Sequence, residues 1–323
     1  SPNTFNGHLN MLITANTQGA KVHTFGIGAY GSFEGFLRDI ANRTGGRYYP
    51  ELQLAAYGDA STMALGKAIP NRAEVKLLKG APDAKLLAGG MTIIPTMKQR
   101  LATPSDVIDL GGLGLSGVTA DGGTLTIQAG TTHADVATDE TVRRTNPALA
   151  HLAAHIGDPH VRNRGTIGGS VANNDPAADY PAALVALKAT VVTNRREVAA
   201  EEFFTGMFET ALADDEIITA VRFQAPKRAG YAKFPNPASR YAMAGVFVAD
   251  FGSGQVRVAV TGAGDKVFRV SAMEQALAKD FSAQAIAAIT VPADACLSDM
   301  HASAEYRAHL VNVMAKRAVA AAG

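Results

Sequence analysis

The chain has 323 residues, of which 47% are apolar and 18% charged, a length that accommodates two or three domains with ordinary cores. Its formal net charge of +1 supplies no basic surface for nucleic acid. A single cysteine, Cys296, excludes an internal disulfide and the roughly four thiolates of an iron–sulfur cluster, and no apolar run reaches the ~18 residues of a membrane span.

The chain begins at Ser1 rather than Met, as a fragment or a processed chain does, and shows no signal peptide. Residues 1–60 have a character of their own. Val22 to Gly28 predicts a strand running into a glycine turn, Phe33 to Asn42 has helical spacing, and Thr44 to Tyr49 predicts a helix stop and a short strand. This segment resembles the last strand–helix–strand of a von Willebrand factor A domain, without that family's metal-binding Asp-x-Ser-x-Ser. An irregular extension is the alternative.

From about Ala64 the pattern changes. The spacing predicts a helix end at 73–80, a strand at 84–88, a short helix at 95–99, and strands at 107–110 and 125–129 with a turn at Asp121-Gly122-Gly123. Helices are predicted at 132–142, capped by Thr132, at 147–156 and at 182–187, and a strand at 191–193. In the last third, 216–223, 246–251 and 256–261 alternate as strands do, and 273–278, 283–289 and 304–321 have helical spacing. That order predicts an α+β domain whose sheet is covered on one side.

Two glycine pairs carry the clearest chemical signal. One lies in Ala88-Gly89-Gly90-Met91-Thr92 and the other in Thr166-Ile167-Gly168-Gly169-Ser170. Each follows apolar or β-branched residues, where bare backbone can turn N–H groups toward an anion. Thr92 and Ser170 add hydroxyl donors. Neither is followed by the Gly-Lys-Ser/Thr of a P-loop, and neither has Rossmann glycine spacing. A plain tight turn is the competing reading for each alone. Asn173, Asn174, Asp175 and Asp179 follow the second pair and suit ribose or ribityl hydroxyls, or alternatively an Asx-turn cluster and a helix cap at Asp179. Arg162 and Arg164 suit a phosphate or an exposed loop equally. His151 and His155 have zinc-ligand spacing but no third ligand nearby, which favours a plain helix pair. No hydrolase elbow is present.

The glycine stretches and the C-terminal residues together resemble the FAD-binding medium subunits of the molybdenum hydroxylases, such as aerobic carbon monoxide dehydrogenase and bacterial xanthine dehydrogenases. The resemblance runs from about Ala64 to the end. It is carried by Leu87-Ala88-Gly89-Gly90, Met97 to Pro104, Arg162 to Gly169, Asp175-Pro176-Ala177-Ala178-Asp179-Tyr180-Pro181 and Ala304-Glu305-Tyr306-Arg307. It implies an α/β, vanillyl-alcohol-oxidase-type FAD domain over residues 61–225 in two subdomains, and a C-terminal α+β domain of the carbon monoxide dehydrogenase flavoprotein type over 226–323.

The resemblance also implies a site. FAD would be held by Ala88, Gly89, Gly90, Met91, Thr92, Thr166, Ile167, Gly168, Gly169, Ser170, Asn174 and Asp179, with Tyr241 near the flavin ring. Met91 stands where relatives often carry His or Thr, so one side-chain donor is missing. No catalytic side chain and no metal ligand are expected here. Molybdopterin and [2Fe–2S] clusters are expected only on a large and a small partner subunit. The implied role is electron transfer to an external acceptor, in the cytoplasm, with peripheral contact to the inner membrane face through that acceptor as an option. A stand-alone flavin oxidoreductase and a non-enzymatic interaction module remain as alternatives.

Overall fold

The computed structural model describes residues 21–25, 32–45, 48–49, 78, 80, 81 and 83–323. The predicted helix end at 73–80 and the glycine turn at 26–28 lie largely or wholly outside them. The chain forms two compact units, Ser1–Leu115 with Ala213–Thr219, and Ser116–Leu212 with Ala220–Gly323. The boundary expected near residue 225 falls inside the second unit.

The first unit is built on a parallel sheet of β1 (Lys21–Phe25), β2 (Tyr48–Tyr49), β3 (Lys85–Leu87) and β4 (Asp106–Asp109), in the order β2-β1-β4-β3. The N-terminal strand–helix–strand, with α1 (Ser32–Thr44), is therefore joined to the region that follows it: Lys21, Val22 and His23 of β1 pair in parallel with Asp106, Val107 and Ile108 of β4. Parallel strands need a crossover, and between β3 and β4 it is α2 (Ile93–Lys98). Ile40, Leu87, Met97 and Val107 form one buried cluster, and Leu78, Ala84, Ile108, Leu113, Leu115 and Ile217 another.

The second unit holds two sheets. One has β5 (Val118–Asp121), β6 (Thr124–Gln128), β7 (Thr190–Thr193), β8 (Glu197–Ala199) and β11 (Ile218–Gln224), in the order β5-β6-β11-β7-β8. Its helices are α3 (His133–Thr138), α4 (Glu140–Thr145), α5 (Pro147–Ala154), α6 (Pro159–Arg164), α7 (Ile167–Asn173), α8 (Tyr180–Ala186) and the short α9 (Ala200–Phe203). The single helix predicted at 132–142 is two. Asp139 leaves helical geometry and caps the second with its carboxylate on the Val142 N–H (3.0 Å). A small hairpin, β9 (Phe204–Gly206) and β10 (Glu209–Thr210), follows α9.

The other sheet runs in sequence order through β12 (Arg228–Pro235), β13 (Ala242–Asp250), β14 (Val256–Thr261) and β15 (Phe268–Arg269), with α10 (Ser271–Lys279) and α11 (Ala304–Ala321). Here the one-sided cover expected from sequence is corrected. Every residue of β13 is buried. Val246 and Val248 join the core that includes Val311 and Met314 of α11, while Phe247 packs toward Tyr231 (6.0 Å between ring centroids) and α8 contacts β13 and β14. Gly230 is where α11 comes closest, since a Cβ there would lie 2.0 Å from the Ala318 carbonyl oxygen. The predicted helix at 283–289 is a run of turns. Asn312 of α11 ties this segment down, donating its Nδ2 to the carbonyls of Ile286 (3.0 Å) and Ile289 (2.7 Å). Among the described residues no helix is long and apolar enough to cross a membrane.

Candidate functional site

The first glycine stretch lies in the first unit, between β3 and α2. Ala88 and Gly89 bend away from the strand, and Gly90 takes φ +77°, a left-handed conformation that side chains resist. A Cβ at Gly90 would also meet Ile94 Cδ1 at 2.5 Å. Thr92 precedes α2 without capping it through its side chain. The N–H groups of Gly89, Gly90, Met91 and Thr92 donate to no described acceptor, and the Thr92 hydroxyl has no described partner. Four consecutive unclaimed amides next to a left-handed glycine are the donor set that a diphosphate requires. Met91 contributes only its backbone, since a thioether donates nothing.

The second stretch lies in the second unit and is built differently. It is the start of α7, not a loop. Thr166 caps that helix, its Oγ1 accepting from Gly169 N (3.1 Å). Ile167 N donates to Thr131 O (3.0 Å), Gly168 N to Ala129 O (2.8 Å) and Ser170 N to Thr166 O (3.0 Å). The expectation of amides turned toward an anion is corrected at 167–170, because all four are satisfied within the protein. Gly168 is needed for packing, as a Cβ would sit 2.6 Å from Ala129 Cβ and 2.8 Å from its carbonyl oxygen. What this stretch offers outward is the exposed backbone of Gly169 and the half-buried Ser170, whose hydroxyl has no described partner.

Asn174 ends α7 in a left-handed conformation, φ +42°, and is 1% exposed. Its Nδ2 donates to the carbonyls of Gly206 (2.8 Å) and Glu209 (2.7 Å), so its amide hydrogens hold the β9–β10 hairpin instead of turning to a ligand. Asp179 neither caps α8 through its side chain nor turns outward. Its carboxylate accepts from the Tyr231 hydroxyl and pairs with Lys233 Nζ (3.0 Å), with Asp179 4% exposed. Burial pushes the Asp179 carboxyl up, against the pull of the Lys233 ammonium and the Tyr231 hydroxyl. The structure gives both residues partners inside the protein, the β9–β10 hairpin for Asn174 and Tyr231 with Lys233 for Asp179. Tyr231 and Lys233 are two apart on β12 and so share a face; a Tyr-x-Lys strand pair was the only sequence signal for them.

Tyr241 stands half exposed just before β13. It borders a cavity of about 310 Å³ that Asp175, Phe208, Asp299 and Arg307 also line. Arg162 is spent on the carbonyls of Ile156 (3.0 Å) and Gly157 (3.2 Å), and Arg164 is exposed. His151 and His155 lie side by side with tilted rings, 4.1 Å between centroids, and among the described residues no group of His, Cys, Asp and Glu is arranged to hold a metal ion.

Residues 71–226 match the family described as the FAD binding domain in molybdopterin dehydrogenase, and residues 230–322 match the CO dehydrogenase flavoprotein C-terminal domain. The chain is 38% identical over 261 residues to the nicotine 6-hydroxylase medium subunit of Paenarthrobacter nicotinovorans, covering 76% of this chain and 92% of that protein. It is 35% identical over 259 residues to the carbon monoxide dehydrogenase medium chain of Hydrogenophaga pseudoflava, covering 74% and 89%. Among solved structures, a Cu,Mo-CO dehydrogenase in its cyanide-inactivated form superposes with a TM-score of 0.69 at 33% identity, covering 77% of this chain and 93% of that one.

Proposed function

The chain belongs to the FAD-binding medium subunits of the molybdenum hydroxylases, an oxidoreductase family of multi-subunit enzymes, and on that premise we propose that it is the electron outlet of such a complex. Substrate is oxidised on a large molybdopterin subunit, a small [2Fe–2S] subunit carries the electrons, and they leave through this chain to an external acceptor. FAD supplies the redox chemistry, and the protein's part is to bind and orient it.

The residues divide that work. Gly89 to Thr92 give their unclaimed amides, and Thr92 its hydroxyl, to the diphosphate. Ala88 and Gly90 shape the bend that exposes those amides. Gly169 and Ser170 form a second, smaller contact, with Thr166, Ile167 and Gly168 fixing the helix start behind them. Asn174 and Asp179 hold the frame, and the half-exposed ring of Tyr241 offers a flat apolar surface to the flavin.

The observation that carries this reading is the run of four amides at Gly89–Thr92 that donate to no acceptor among the described residues. The purified full chain is expected to retain FAD, seen as flavin absorption in the visible, and to co-purify with two further subunits when all three are expressed together. A chain that stays colourless after incubation with excess FAD overturns the proposal.

A further inference from the structure

Lys188 carries a charge that only uncharged groups answer. It follows α8 in a left-handed conformation, φ +51°, and is half-buried. The helix end pins its backbone: its own N–H donates to Val185 O (3.3 Å), and the Ala189 N–H donates to Leu184 O (2.8 Å). Its ammonium lies over the Phe251 ring, 4.4 Å from the centroid, and donates to Gln255 Oε1 (2.8 Å). Among the described residues no carboxylate comes within ion-pair distance of it.

Its charged neighbours are Arg257 of β14 and Arg269 of β15. Gln255, the amide partner of Lys188, and Arg257 are two apart where the chain enters β14, so they share a face. The acids among these groups are already committed. Glu201 Oε1 accepts from Arg257 Nη1 (2.5 Å) and Arg269 Nη1 (2.6 Å). Glu274 accepts from Arg269 Nε (2.8 Å), Arg269 Nη2 (2.6 Å) and the Val258 N–H (2.9 Å). Three cations thus face two carboxylates, and Nε and Nη2 of Arg257 donate to no described acceptor. Burial first, then Arg257 and Arg269, push the Lys188 pKa below its ordinary value, against a pull from Glu201. An amine lowered by neighbouring cations is an activated nucleophile, and the open arm of a guanidinium suits a phosphate.

We propose that Lys188 is an acylation site whose donor is a small acyl phosphate, docked by its phosphate on Arg257. The Lys188 nitrogen attacks the acyl carbon. The N–C bond forms as the bond from that carbon to the phosphate oxygen breaks, inorganic phosphate leaves with the electron pair, and the proton of the amine passes to water. The amide that results keeps one N–H for Gln255 and loses the charge that Arg257 and Arg269 repel, so the fold accommodates the mark. The site is independent of the electron-outlet reading.

The test incubates the full chain at neutral pH with acetyl phosphate and follows acetylation of each lysine over time by peptide mass spectrometry. Lys188 is expected to react about fivefold faster than the exposed Lys227 and Lys279, the scale of one close charge contact in water. Arg257→Gln is expected to bring Lys188 down toward that background while Lys227 keeps its rate. With N-hydroxysuccinimidyl acetate, which has no phosphate to dock, the preference for Lys188 is expected to shrink. A Lys188 rate no greater than those of Lys227 and Lys279 overturns the inference, as does an unchanged Lys188 rate in Arg257→Gln. An equal preference with both reagents removes the phosphate dock and overturns the assignment of the donor; this comparison uses the wild type alone, so it decides even where Arg257→Gln fails to fold.

Discussion

Gly168→Ala separates packing from cofactor contact. An added Cβ lies 2.6 Å from Ala129 Cβ and 2.8 Å from Ala129 O, closer than such atoms tolerate, and the obstacle is backbone rather than a flexible tip. That same carbonyl accepts the Gly168 N–H at 2.8 Å, so the start of α7 cannot retreat without lengthening the bond. Overpacking of this kind costs about 1–3 kcal/mol. At about 2–4 °C per kcal/mol for a unit of this size, Tm falls by several degrees. The decisive assay is thermal unfolding, followed by circular dichroism, of wild type and variant after both have been stripped of flavin. The variant should melt earlier with no cofactor present. If the stripped proteins melt together and only FAD retention is lost, the glycine is there for the cofactor and the packing argument is refuted.

Lys233→Met leaves the Asp179 carboxylate buried without its cation and should cost about 3–5 kcal/mol in urea unfolding, while the double change with Asp179→Leu should cost much less; equal losses in the two variants would mean that the pair is not coupled. His133 is 4% exposed, and burial, with a smaller push from Arg162, lowers its pKa from 6.5 to about 4. The folded state therefore disfavours the cation, so this stabilisation is complete above pH 6.5 and is lost as pH falls from 6.5 toward 4, on the order of 3 kcal/mol at ~1.4 kcal/mol per pH unit. His133→Gln should flatten stability against pH across that window, and an identical slope in wild type and variant would exclude His133 as its source.

Much of the fold was legible because strong periodicity and clear stops coincide. The strand at 256–261 and the helix at 304–321 have the predicted bounds, the latter opened by a Ser303 cap. The candidate site was legible in part. Gly168-Gly169 reads as a turn because glycine is the usual turn residue, yet Thr166 three residues before Gly169 is a helix cap, and that local signal decides the conformation. Asp179 reads as a ligand because an acidic residue beside glycines suits hydroxyls. Its partners within the protein, Tyr231 and Lys233, are more than fifty residues away, and no local pattern encodes a contact at that separation.

The parallel sheet of the first unit has a practical corollary. Shortening the polypeptide so that it starts at residue 71, where the family match begins, deletes β1 and β2 and leaves β4 as a border rather than an inner strand. A bare border recruits foreign strands. β1 and β2 thus act as a built-in selvedge, and a trimmed version designed on homology alone is expected to aggregate more readily than the full chain.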